Sequence, residues 1–131
     1  MTPLTAYTKV NVATANASQI MISLFQAALR NIRASATAFE SGDYRTGSLM
    51  AEKATNIVLG LQGTLKEDVA PELCANLKEL YTFVACRLGM AGVKFSAAHA
   101  VEAERVFAPV AEAFIQVGSN PNNQPGAGSG R

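Results

Sequence analysis

Leu73, Leu77, Leu80, Tyr81, Val84, Leu88 and Ala91 recur at three- and four-residue steps, which places them along one side of a helix. Lys78, Glu79 and Arg87 fall at its margins or on the opposite side. A second stripe, Ile20, Leu24, Phe25, Ala28, Ile32 and Phe39, predicts an earlier helix that leaves Gln26, Arg30, Asn31 and Arg33 for water. Asn16 with Gln19 three residues on offers a capping box to start it, and Ser41-Gly42 stops it. Asp43 caps a further helix carrying Leu49, Met50, Ala54, Ile57, Val58 and Leu61, which ends near Gly63 or Leu65. Gly47 and Gly60 weaken this helix, each by about 1 kcal/mol against Ala.

Pro71 suits the first turn of the next helix, where its missing N–H has no acceptor, and Gly92 is available to end that helix after Ala91. Ser96 caps a fourth, with Ala100, Val101, Ala103, Val106, Phe107, Val110, Phe114 and Val117 as its apolar positions. Pro109 predicts a kink between Arg105 and Pro109. Four such helices with short connections predict an all-α, antiparallel up-and-down four-helix bundle over residues 16–117. Residues 1–15 form an amino-terminal arm with Tyr7, Val10 and Val12 as apolar handles. Residues 118–131, rich in Gly, Asn and Pro, read as a disordered tail.

Charge changes the picture by exclusion. Eleven basic and ten acidic residues in 131 give a formal charge of +1, with no Lys/Arg run able to follow a phosphate backbone, so no nucleic-acid partner is expected. The amino terminus lacks a basic segment followed by an apolar one, and no window is long enough to span a bilayer, so membrane insertion is not expected and the cytosol is the default compartment. Cys74 and Cys86, on one helix, stand about 18 Å apart along its axis, too far for a disulfide.

Catalytic chemistry has little to work with. His99 is the single histidine, so the paired Glu-x-x-His motifs of di-metal bundles cannot be assembled. No HExxH, phosphate-binding glycine loop or Gly-x-Ser-x-Gly elbow occurs, and the carboxylates read as caps and polar faces. Neither catalytic residues nor metal nor cofactor are expected.

In order along the chain, several segments resemble the flagellar secretion chaperone family FliS. They are Ala6-Tyr7-Thr8-Lys9-Val10, Ser18-Gln19-Ile20 with Leu24-Phe25, Gly42-Asp43, Lys53-Ala54 with Asn56-Ile57-Val58, Asn76-Leu77 through Leu80-Tyr81 to Arg87-Leu88, and Glu112-Ala113-Phe114. Phe114 stands where the family often has tryptophan, and Ala70-Pro71-Glu72 replaces a glycine-rich start to the third helix. The resemblance implies a cytoplasmic export chaperone that binds the disordered carboxy-terminal segment of flagellin, prevents premature polymerisation and assists delivery to the type III export apparatus. It implies Tyr7, Val10, Asn56, Leu80, Tyr81 and Arg87 as partner-binding positions, with the Tyr7 arm lying over an apolar part of the bundle, and the export gate as a further partner. Tyr81 is expected to hold its ring in the core and its hydroxyl at the rim. The alternative from the stripes alone is a structural or regulatory bundle that self-associates.

Overall fold

The computed structural model describes residues 17–119. Four helices follow one another: α1 (Ala17–Glu40), α2 (Tyr44–Gly63), α3 (Pro71–Lys94) and α4 (Ala97–Ser119). Each packs on the next, and α4 returns to pack on α1. The direction of the return is fixed by contacts: Phe25 stacks on Phe114 with ring centroids 5.0 Å apart, and farther along α1, Arg33 meets Glu104 at 2.7 Å. The architecture is therefore the up-and-down bundle that the four stripes predict. Asn16, and with it the expected capping box, lies outside the described residues, as do Tyr7, Val10 and the tail beyond Ser119.

Burial follows the stripes. Tyr81, Phe107, Ile32, Leu61, Leu88 and Val58 are all but sealed from water at the centre, each contributing about 1.5–3 kcal/mol of transfer free energy. Two leucines depart from the expectation. Leu49 is exposed because the inward arc of α2 runs through Ala51, Ala54, Val58 and Leu61. Nine residues before Val58, it stands about half a turn away from it. Leu73 lies on the right side of α3 but in its first turn, where the bundle opens and nothing covers it completely.

The ends of the helices explain the rest. Asp43 accepts a hydrogen bond from the Thr46 N–H at 3.2 Å and caps α2, and that bond holds its carboxyl below the usual carboxylate range. Gly42 takes the positive φ of 84° that the turn requires. Gly47 is buried rather than simply weakening: the Ser35 hydroxyl donates to its carbonyl at 2.8 Å, and a Cβ there would lie 2.5 Å from ring carbons of Phe39. A Cβ at Gly60 would instead meet open space.

Gly92 does not end α3. It stays helical and its carbonyl accepts from the Ser48 hydroxyl at 3.2 Å, while Phe95 takes the left-handed conformation with φ 53°. That conformation costs a non-glycine residue about 1–2 kcal/mol. Stacking offsets it: the Phe95 ring lies 5.2 Å from Tyr44 at 14° and 6.5 Å from Phe39. Ser96 then caps α4, its oxygen 3.4 Å from the His99 N–H and 2.9 Å from His99 Nδ1.

The fourth helix continues without interruption through Pro109, whose ring is on an exposed face. The Arg105 carbonyl that loses its donor there is open to hydration, and the helix does not have to end. It also carries past Val117 through Gly118 and Ser119. Gly118 lies so close to Ile22 that a Cβ would come within 2.6 Å of its side chain.

Candidate functional site

The two ends of the bundle are built differently. At one, the connections 41–43 and 95–96 are short and the rings of Phe39, Tyr44 and Phe95 cover the helix ends. At the other, α2 reaches α3 through the longer segment 64–70, and the end of α4 packs on the start of α1, with Gly118 close against Ile22. A groove of about 410 Å³ opens there. Met21, Ile22 and Phe25 line it from α1, Leu65 and Val69 from the connection, Leu73, Leu77 and Tyr81 from α3, and Phe114 and Val117 from α4.

Its floor is aromatic. Phe114 lies flat on Phe25 at an interplanar angle of 4°, Phe25 in turn stacks on Phe107 at 6.1 Å, and Tyr81 tilts against Phe107 at 6.3 Å. The few polar groups are mostly engaged or peripheral: the Thr64 hydroxyl donates to the Leu61 carbonyl at 2.7 Å, and Lys66 is exposed at the rim. Tyr81 is the exception. The residue is only 2 % exposed, and its hydroxyl makes no hydrogen bond among the described residues. No side-chain nitrogen or oxygen among them is both sealed and unpaired, so this hydroxyl is not sealed from water, and the residue lines the groove. Burial pushes its pKa up to about 12. It is a neutral phenol at physiological pH, able to donate.

Of the six positions expected to bind a partner, Tyr81 is buried and lines this groove. Leu80 is half-buried against the core, and Asn56 is exposed on α2. Arg87 lies over the Phe83 ring at 5.0 Å and 3.5 Å from Glu102, a link between α3 and α4 outside the groove. Tyr7 and Val10 are outside the described residues. The sequence reading did not single out Met21, Ile22, Val69, Leu73 or Val117 as site residues. One signal for them exists: Ile20, Met21, Ile22, Leu24 and Phe25 span a wider arc than one core stripe needs.

The arrangement offers apolar area and one hydrogen-bond donor. Among the described residues, no cluster of His, Cys, Asp or Glu could hold a metal ion, and no helix is long and apolar enough to cross a membrane. An apolar groove on a helical bundle is suited to receiving the apolar face of another helix.

Comparison with known proteins fits this arrangement. The family described as flagellar protein FliS matches residues 1–121. This chain belongs to the FliS family. It is similar to the flagellar secretion chaperone FliS of Bacillus subtilis (strain 168), 29% identical over 127 residues that cover 96% of this chain and 94% of that protein. It is also similar to the flagellar secretion chaperone FliS of Salmonella typhimurium (strain LT2), 31% identical over 117 residues covering 86% of this chain and 87% of that one. The match extends over all four helices, so the groove belongs to the part of the chain that family membership covers.

Proposed function

We propose that the groove seats the carboxy-terminal segment of flagellin, holding it in the cytosol as a helix and keeping it from polymerising before delivery to the type III export apparatus. Family membership makes the protein a flagellar export chaperone with a client protein. The observation that carries the finer reading is the groove itself: exposed Leu73, Val69, Phe114 and Val117 converge with buried Phe25 and Leu77 on one apolar concavity. A segment that folds on binding loses ordering entropy, and burying an apolar helix face against such a surface is what offsets the loss. Residues 1–15 form a separate arm in this reading, and Tyr7 and Val10 act from it.

Deletion of the carboxy-terminal segment from flagellin is expected to abolish a stoichiometric complex measured by calorimetry. Undiminished binding to the truncated flagellin would end this reading. Leu73→Glu places a charge at the groove without emptying the core, since Leu73 is half exposed. It should weaken the complex at least about tenfold while leaving the melting temperature within a few degrees. A concentration-dependent dimer that ignores flagellin would favour the self-associating bundle instead.

A further inference from the structure

The Tyr81 hydroxyl points beyond a groove that merely collects apolar area. A tyrosine used only as core could be phenylalanine, and here the ring is buried against Phe107 while the hydroxyl has no hydrogen-bond partner among the described residues. The group is a donor carried on a ring fixed by packing, and its residue lines a largely apolar concavity large enough to admit side chains. An apolar helix face pressed over it would trap an unpaired polar group unless that face brought an acceptor.

Resting on the reading of the groove as the client's seat, we propose that Tyr81 is a specificity residue that donates a hydrogen bond to one uncharged acceptor, a side-chain amide carbonyl of Asn or Gln, on the otherwise apolar face of the client segment. The acceptor is uncharged for a physical reason. The same desolvation that keeps the phenol protonated penalises a carboxylate brought beside it. Lys66, the cation among the lining residues, is exposed to water at the rim. An amide supplies a strong acceptor without that penalty, on an aliphatic stem that suits the apolar walls. A client lacking it would be discriminated against because the buried phenol would go unpaired, which is how a hydrogen-bonding site rejects an otherwise isosteric ligand.

Tyr81→Phe tests this in the full-length chaperone against the flagellin carboxy-terminal segment. The variant should weaken binding about five- to twentyfold, with a melting temperature of the free protein equal to or higher than that of the unmodified protein, because the hydroxyl makes no hydrogen bond to another described residue. Unchanged affinity would overturn the inference and leave the seating of the client intact. A lowered melting temperature would show the hydroxyl holding the free bundle together, and would overturn it too. Failure of the unmodified chaperone to bind the segment would remove the underlying reading first. Independently of that variant, each Asn and Gln of the segment is replaced in turn by Leu and titrated against the unmodified chaperone. One replacement should cost about five- to twentyfold and cost much less against Tyr81→Phe. No costly replacement would overturn the proposal, and so would a Tyr81→Phe effect confined to self-association or to contacts of residues 1–16.

Discussion

The closed and open ends of this bundle use similar side chains for opposite purposes. At the closed end Tyr44 and Phe95 stack and Phe39 tilts against both, while Ala36, Ala91 and Ala100 let the helices approach closely. Gly47 carries this to its limit, with Phe39 in the space a side chain would need. At the open end Phe25 and Phe114 also stack, but the longer 64–70 connection does not draw the helices shut over them. Aromatic content does not distinguish the ends. What differs is the space between the helices: Gly47 and the alanines bring them into close contact at the closed end, whereas an apolar concavity bordered by the 64–70 connection remains at the other. Close packing favours stability, and the concavity leaves apolar surface open.

Three changes in the chaperone separate these roles, beginning with the largest expected effect. Phe39→Ala removes a buried ring from the closed end and should cost about 3–5 kcal/mol in urea unfolding, with client affinity of the remaining folded protein nearly unchanged. A large loss of affinity in the folded fraction would mean that the two ends are not separable. Gly47→Ala comes next. Its Cβ would collide with Phe39, so overpacking of about 1–3 kcal/mol should outweigh the gain in helix propensity. Gly60→Ala meets open space and should gain about 0.5–1 kcal/mol. Equal effects at the two glycines would refute the close approach.

A further separation is by pH. Because burial raises the Tyr81 pKa to about 12, the folded protein holds a proton that the unfolded chain releases near pH 10. Stability therefore falls as pH rises from about 10 towards 12. Discounted for the groove's opening to solvent, the loss should be about 1–2 kcal/mol greater than in Tyr81→Phe. Parallel alkaline curves for the two proteins would show that the hydroxyl is already hydrated when free.

The bundle was legible in the sequence because burial at helical spacing is a local pattern: Ile32, Val58, Leu88 and Phe107 announce themselves. The caps at Asp43 and Ser96 were legible for the same reason, since each acts on a backbone N–H three residues away. The groove was not. Leu73 and Leu77 look alike in the chain, and only the concavity formed where α1, α4 and the 64–70 connection meet leaves one half exposed and the other buried. Gly47 and Gly60 likewise read the same until Phe39 is found against one of them. Phe95 replaced the expected Gly92 stop because its partners, Tyr44 and Phe39, lie about 50 residues away in the chain.

The even number of helices has a consequence of its own. Each reverses the direction of the last, so Ala17 and Ser119, the outer limits of the helical region, arrive at the same end of the bundle as the groove. A peptide joined at either point meets the groove as a tethered neighbour, at an effective concentration on the order of millimolar for a short flexible connection. With the groove as the client's seat, as proposed above, a tethered peptide able to fill it would compete with a client arriving from solution. The topology would then set a threshold on client affinity that no groove residue alone determines.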